Sequence, residues 1–172
     1  PTHFLDVAEL TMGMAIGFDW LYDQLPDESK DTIADAILFK GLIPSLDKRF
    51  NGWTRVTNNW NQVCNAGMSY GALAIANRYP GVSKQILDRA INTIHLPMED
   101  YQPDGAYPEG YTYWGYGTSF NVMFLSAIEK AFSTDFGLSS IPGFLKTAAY
   151  REHMTGVTGM PFNWGDCGPR GG

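Results

Sequence analysis

The sequence contains few cysteines, no basic run and no long hydrophobic segment, and each absence disfavours a class of protein. Its 2 cysteines, Cys64 and Cys167, lack C-x-x-C spacing, which disfavours zinc and thioredoxin-like sites and favours packed, unpaired thiols over a disulfide. The 12 Lys and Arg residues are scattered among 18 Asp and Glu, so the clustered positive charge that binds nucleic acid is absent. Polar or charged residues interrupt every apolar stretch before it reaches the ~18 to 20 residues of a membrane span.

Histidines and targeting signals are also sparse. His3, His95 and His153 share no ligand spacing, so we expect no metal site and no cofactor. The chain opens on Pro1 without a basic region followed by an apolar one, so the sequence carries no localisation signal. This start is typical of a piece processed or cut from a longer chain.

Aromatic residues and glycine are present in excess. Phe, Trp and Tyr make up 14% of the 172 residues and 19 residues are Gly, which is more than a core alone needs. The excess favours a cleft whose walls stack on sugars or other rings. With 44% hydrophobic and 17% charged residues, the composition is that of a globular protein, and the length predicts one domain over residues 1–172.

Hydrophobic periodicity predicts an all-α fold. Apolar residues recur every three or four positions in about six stretches, none of which alternates convincingly with a period of two. Short connections favour antiparallel helical hairpins. Gly67 and Gly71, four positions apart among alanines, predict a helix packed closely against a neighbour. The predicted helices run from Asp6 to Leu25, from Asp27 to the region where Gly41 and Pro44 break or bend the helix, from Asn59 to Asn77, from Ser83 to Ile94, from Thr118 or Ser119 to Phe132 and from Pro142 to Glu152.

Two loops interrupt this pattern, and function concentrates in such loops. The first runs from Tyr101 to Gly117 and holds six aromatic residues with Asp104 and Glu109, and the second runs from Thr155 to the C-terminus. The first loop is interpreted either as a sugar-binding wall with a tyrosine that exchanges protons, or as an aromatic plug that closes one end of a helical bundle.

A second polar cluster lies at the start of the third predicted helix. Four amides occur within five positions there, and Arg55 precedes them. Amides bind hydroxyls or a carboxylate without adding a negative charge that repels an acidic ligand. A single Asn is equally well explained as a helix cap or an interhelical contact, whereas four amides together favour a binding site. The four are Asn58, Asn59, Asn61 and Gln62.

Three segments together resemble the helical domain of the heparinase II/III-like polysaccharide lyases, which include related alginate lyases. They are the N-N-W-N-Q run at 58–62, the D-G-A-Y-P-E-G-Y-T-Y-W-G-Y segment at 104–116, and the opening F-L-D-V-A-E-L with F-D-W-L-Y-D. The resemblance extends from residue 4 to about residue 166, and the paired Asn and Tyr motifs are more specific together than either is alone.

The resemblance implies that this chain is part of an incomplete (α/α) toroid. It also implies β-elimination of an acidic polysaccharide that contains uronic acid, such as a glycosaminoglycan or alginate. Asn59 matches the family's Asn that binds and neutralises the substrate carboxylate, and Tyr113 matches its proton-transferring Tyr. Removing the C5 proton builds charge on the carboxylate, and preorganised neutral donors stabilise that charge.

A tyrosine with an ordinary pKa of ~10 needs a neighbouring positive charge or donor to act as a base near neutral pH. Arg55 is the nearest candidate in the sequence. The substrate-binding residues that follow from the resemblance and from the amide cluster are Arg55, Asn58, Asn61, Gln62, Glu109, Trp114 and Tyr116.

The sequence departs from the family at several positions. Trp60 stands where some members have His, and Gly115 where some have Arg, which leaves the substrate open. The family usually completes its site with a later His and Tyr and continues into a β-sandwich domain. We find no match to these in the chain and expect a fragment that needs the rest of its polypeptide and has weak or no activity alone. The resemblance further implies a periplasmic or secreted location.

Two other functions fit the same residues. A glycoside hydrolase would use Asp104 with Glu109 or Asp166 as its acid and base, because hydrolysis needs two carboxylates. A non-catalytic carbohydrate-binding module would only stack its aromatic rings on sugar.

Overall fold

The computed structural model describes residues 3–168, and helices make up most of them. The described residues contain no β-strand, only an isolated bridge between Thr155 and Pro161, so the predicted all-α class is confirmed. None of the described helices is long and apolar enough to cross a membrane. The α-helices are α1 (Phe4–Leu21), α2 (Asp27–Ala36), α3 (Ile43–Leu46), α4 (Asn59–Ala74), α5 (Pro80–Thr93), α6 (His95–Glu99), α7 (Tyr111–Phe132) and α8 (Ala148–His153).

The described residues form two compact units. The first comprises residues 3–54 and 63–93, and the second comprises residues 55–62 and 94–168. The boundary crosses α4, whose first turn belongs to the second unit.

Close backbone packing shapes the first unit. Gly67 of α4 lies against the backbone of Ala8 in α1, so that a Cβ at this position would overlap Ala8. A Cβ at Gly71 would lie 2.6 Å from Thr11 Cγ2, also in α1. The close packing predicted from the spacing of these two glycines is therefore confirmed, and its cause is that only a residue without a Cβ fits.

The second predicted helix is longer than its sequence suggested. Gly41 and Pro44 do not end it, because a π-helical segment at Ile37–Leu42 joins α2 to α3 and helical backbone continues to Leu46. Pro44 lies just after this π-helical segment, and its missing N–H leaves one backbone hydrogen bond out of the continuous helix. The fourth predicted helix likewise starts earlier, at Pro80, and Ser83 is buried inside it.

The second unit is built around α7. Its buried residues recur at helical spacing and include Gly117, Asn121 and Phe124. α7 begins at Tyr111, so the prediction of a loop extending to Gly117 and a helix starting at Thr118 was wrong. Gly110, with φ +87°, is the residue before the first turn, and the aromatic residues that follow it are helical.

Candidate functional site

Glu109, just before α7, binds the first residue of α4. Its carboxylate accepts the backbone N–H of Asn59 at 2.7 Å and the Asn59 side-chain Nδ2 at 2.9 Å. The N–H groups in the first turn of a helix lack partners within the helix, and the positive end of the helix dipole favours an anion there. A carboxylate at this position therefore both caps α4 and fixes the Asn59 side chain.

Two buried tyrosines and Gln62 extend this contact. The Tyr107 hydroxyl lies 2.8 Å from Glu109 Oε2 and 3.0 Å from Gln62 Oε1, and both oxygens are acceptors for its proton. Gln62 Nε2 donates to the Tyr101 hydroxyl at 2.9 Å, which in turn lies 2.6 Å from Thr118 Oγ1 on α7. We call the set Asn59, Gln62, Tyr101, Tyr107 and Glu109 the amide–phenol network.

Burial keeps both phenols of the amide–phenol network neutral. It raises the pKa of Tyr101 to about 12. It raises the pKa of Tyr107 further, and the neighbouring negative charge of Glu109 adds to the effect. Burial also raises the pKa of Asp100, and the charge of Glu109 acts in the same direction. The carboxyl groups of Glu109 and Asp100 make this region negatively charged. Its tyrosines are therefore suited to donate and accept hydrogen bonds rather than to act as bases.

Within the amide–phenol network, the atom without a hydrogen-bond partner is the side-chain oxygen of Asn59, Oδ1. The residue is 2% exposed, and its Oδ1 has no hydrogen-bond partner among the described residues. Native proteins rarely leave a buried acceptor unpaired, so this atom is a candidate ligand contact.

Tyr113 lies in the first turns of α7, on the wall of an open groove of about 890 Å³. Gly117 lies one helical turn later on α7 and is buried. Gly117 packs against the start of α4, because a Cβ there would lie 3.2 Å from Asn59 Cβ and would overlap Gln62 Oε1. The structure thus places Tyr113 one turn from the point where α7 meets Asn59. The groove is lined mainly by aromatic and hydroxyl side chains, among them Tyr111, Tyr113, Trp114, Tyr116, Ser119 and Phe120, together with Arg151.

The other predicted amides have local roles. Asn58 Oδ1 accepts the backbone N–H of Trp60 at 3.2 Å, which is a capping contact. Asn61 is fully buried, and its Nδ2 donates to the carbonyl of Val56 at 3.1 Å. Arg55 is exposed at the end of a short 3₁₀ turn, and no salt bridge within residues 3–168 involves it. Of the four amides, the structure brings Asn59 and Gln62 into one network with Glu109.

The remaining predicted site residues lie on α7. Trp114 lines the groove, and its Nε1 donates to Thr147 Oγ1 at 2.7 Å, which anchors the indole ring. Tyr116 also lines the groove and packs edge-on against Phe120 with 5.3 Å between ring centroids.

Sequence reasoning missed the part that Tyr101 and Tyr107 play. The loop was interpreted as a sugar-binding wall or an aromatic plug, and neither interpretation gave these two hydroxyls a hydrogen-bonding role, whereas both side chains are buried and hydrogen-bonded. The available signal was the Tyr-Pro-Glu sequence at 107–109, which keeps a phenol two positions from the carboxylate it contacts. Arg151, the cation at the groove, lies outside every motif in the sequence.

The carboxylates of the hydrolase alternative differ in their surroundings. Asp104 is exposed and accepts the backbone N–H of Ala106 at 3.3 Å, and Asp166 is exposed as well. Glu109 is half-buried in the amide–phenol network. Within residues 3–168, no group of three or more His, Cys, Asp or Glu side chains is arranged to hold a metal ion.

Both cysteines are buried and free. This agrees with the prediction of packed, unpaired thiols. Burial raises the pKa of the Cys64 thiol, which keeps it protonated.

Comparison of the sequence with protein-family models and with curated proteins found no match. No protein-family model matches the sequence, and no curated protein is significantly similar to it.

Proposed function

We propose that this chain is part of a polysaccharide lyase that cleaves a uronic-acid-containing polysaccharide by β-elimination. In this proposal its helices belong to an incomplete (α/α) toroid, and the rest of the polypeptide supplies the missing catalytic groups. Tyr113 transfers the proton, Asn59 contacts the substrate's carboxyl group, and the aromatic side chains of α7 stack on the sugar rings. The proposed location, periplasmic or secreted, follows from the same family resemblance.

One observation carries the proposal. Gly117, one helical turn after Tyr113 on α7, packs against Asn59, the residue that the resemblance pairs with Tyr113. Asn59 is also held in one orientation by Glu109. Preorganised polar groups next to a proton-transferring side chain are what β-elimination needs.

The chemistry balances with these groups. A base removes the C5 proton, the electron pair forms the C4–C5 double bond, and the C4–O bond breaks. The leaving oxygen then takes a proton, so the products are an unsaturated uronate and a new sugar end. Trp114 and Tyr116 line the same groove as Tyr113 and supply flat faces for sugar rings.

A substitution at Tyr113 tests the proposal. In the full-length protein that contains this chain, Tyr113→Phe removes the transferable proton and keeps the ring. We expect the rate of unsaturated-uronate formation, followed by ultraviolet absorbance, to fall by about 100-fold or more, the usual contribution of general acid–base catalysis. Tyr111→Phe, on the same groove wall, is the matched control and should change the rate only a few-fold. A Tyr113→Phe rate within a few-fold of wild type, or a product without a double bond, contradicts the proposal.

The groove favours a second candidate, a non-catalytic carbohydrate-binding module. Its wall carries Tyr111, Tyr113 and Trp114 within the first turn of α7, and aromatic faces stack on sugar without any chemistry. Under this alternative, oligosaccharide binds in a titration and the full-length protein shows no turnover on any acidic polysaccharide. Trp114→Ala then weakens binding, whereas Tyr113→Phe leaves it unchanged.

A further inference from the structure

The orientation of the Asn59 amide decides which ligand group this side chain binds. Glu109 receives the Asn59 backbone N–H at 2.7 Å on one oxygen and Nδ2 at 2.9 Å on the other. An ionised carboxylate only accepts hydrogen bonds, so the amide nitrogen has to face Glu109 and the amide oxygen has to face away from it. One of the two Nδ2 hydrogens is thus donated to Glu109, and Oδ1 is left as an acceptor for a ligand.

That acceptor is unsatisfied. Asn59 Oδ1 is buried and has no hydrogen-bond partner among the described residues. Leaving a buried carbonyl oxygen unpaired is costly, and a donor from a ligand removes that cost. Because the atom is closed off, we expect binding to disturb the residues around it, including the segment 100–110.

The surrounding charges select against an anion. Glu109 contacts Asn59 directly, and the carboxyl of Asp100 is close enough to raise the pKa of Tyr107 together with Glu109. Tyr107 and Tyr101 are neutral, and neither Glu109 nor Asp100 has a salt bridge to a Lys, Arg or His within residues 3–168. A bare carboxylate placed against Asn59 Oδ1 would meet the negative charge of Glu109 and an oxygen that can only accept hydrogen bonds.

We propose that Glu109 is a positioning residue that makes Asn59 a hydrogen-bond acceptor, so that the site takes an O–H donor from a sugar, either a hydroxyl or a protonated carboxyl, rather than a carboxylate. The ligand class rests on the proposed function, whereas the orientation of Asn59 rests on geometry alone. The inference also revises the expectation that Asn59 acts as a neutral donor to a carboxylate.

The orientation is tested by NMR without any ligand. In a ¹⁵N-labelled chain, donation to a carboxylate moves the Asn59 backbone and side-chain N–H signals downfield and slows their exchange with solvent. Glu109→Gln keeps the size of the side chain but replaces one acceptor with a donor, so we expect both signals to move upfield and to exchange about tenfold faster. Glu129→Gln, an exposed carboxylate on α7, is the matched control and should leave them unchanged.

Two outcomes overturn the positioning role. One is an Asn59 spectrum that is the same in wild type and Glu109→Gln, and the other is an equal change in Glu129→Gln. If circular dichroism shows that Glu109→Gln does not fold, Tyr107→Phe is used instead. It removes the hydroxyl that holds Glu109 Oε2 and should change the Asn59 signals in the same direction by a smaller amount.

The ligand chemistry is tested by binding short oligomannuronate and its carboxyl-reduced, neutral form across pH. If the donor is a protonated carboxyl, only oligomannuronate binds more tightly as the pH falls, and Glu109→Gln flattens that trend. If the donor is a hydroxyl, both ligands bind with the same pH dependence. Any trend common to both ligands comes from groups of the protein and not from the carboxyl of the ligand. Oligomannuronate binding that weakens as the pH falls, with the reduced ligand unchanged, overturns the inference because the site then requires a carboxylate.

The two proposals fail separately. If the Asn59 signals respond to Glu109→Gln as expected but the full-length protein forms no unsaturated uronate, the lyase function is wrong and the positioning role stands. If unsaturated uronate forms in a Tyr113-dependent way but the Asn59 signals do not respond, the positioning role is wrong and the lyase function stands.

Discussion

Tyr107 has one phenolic proton and two acceptors, Gln62 Oε1 and Glu109 Oε2, within hydrogen-bond distance. Ionising this phenol would leave a buried negative charge beside Glu109, so both burial and charge hold its proton in place. Tyr101, whose ring centroid lies 5.1 Å from that of Tyr107, is held neutral mainly by burial. The network therefore depends on two neutral phenols and one carboxylate, a combination that is stable only below the pH at which tyrosines ionise.

The high-pH stability of the protein tests this dependence. Unfolded tyrosines ionise near pH ~10, whereas the folded pKa of Tyr101 is about 12 and that of Tyr107 is also raised. A group whose pKa is raised on folding contributes stability that is lost as the pH rises above its unfolded pKa. The free energy of unfolding should therefore fall above pH ~10. In Tyr107→Phe the fall should be shallower by up to about 1.4 kcal/mol per pH unit.

Denaturant unfolding at several pH values between neutral and alkaline measures this slope. The variant should also lose about 1–3 kcal/mol at neutral pH, because Gln62 Oε1 loses a buried partner. Parallel curves for wild type and Tyr107→Phe above pH ~10 would show that Tyr107 titrates alike in the folded and unfolded states.

At the scale of elements, the contact between the start of α4 and α7 depends on a glycine. A Cβ at Gly117 would overlap Gln62 Oε1 and would lie 3.2 Å from Asn59 Cβ. Gly115, two positions earlier on α7, has nothing within 4 Å of its Cβ position. Substituting alanine at each of these two positions therefore separates the effect of close packing on stability from the effect of helix propensity.

Gly117→Ala should destabilise the protein by about 1–3 kcal/mol, because the added methyl group pushes α7 away from the network residues. Gly115→Ala should instead stabilise it by about 0.5–1 kcal/mol, since alanine favours the helix and no atom opposes the methyl group. Chemical denaturation of both variants measures the difference. Equal effects of the two substitutions would mean that α7 does not need a close approach at Gly117.

The surroundings of the glycines explain why some helices could be predicted from the sequence and others could not. Gly67 lies in a stretch that contains several alanines and has clear helical periodicity, so its helix and its close packing were both predictable. Gly110, Gly115 and Gly117 sit among tyrosines and a tryptophan, a composition typical of a loop, and the first turns of α7 were missed. Gly117 lies inside the helix because of its packing against Gln62 and Asn59, and that contact is invisible to local periodicity.

In the candidate site, too, some features could be predicted from the sequence and others could not. Asn59, Gln62 and Glu109 were all selected from their chemistry and motifs. Their contact was not predictable, because Asn59 and Glu109 are 50 positions apart and no periodic pattern links them. Tyr101 and Tyr107 were noticed as rings, but sequence alone does not show that their hydroxyls are buried against amides.

At the scale of the whole molecule, the formal charge of -6 opposes binding of an acidic polysaccharide. Proteins that grip polyanions through Lys and Arg lose affinity as salt rises. This chain has 12 such residues against 18 acidic ones, and its pairing of Asn59 with Glu109 adds negative charge at the site itself. Neutral hydrogen-bonding groups and aromatic faces then favour binding, whereas the net charge opposes it.

We therefore expect oligomannuronate to bind this chain more tightly, on the order of a few-fold, as the ionic strength rises from about 0.01 M to about 0.1 M. Over this range the Debye length falls from ~30 Å to ~10 Å, so the added salt screens the repulsion between the ligand and the protein. The carboxyl-reduced ligand carries no charge and should show no such change. Isothermal titration of both ligands over this salt range measures the difference. Affinity for oligomannuronate that falls with salt would show that local cations, with Arg151 at the groove as the first to substitute, outweigh the net charge of the molecule.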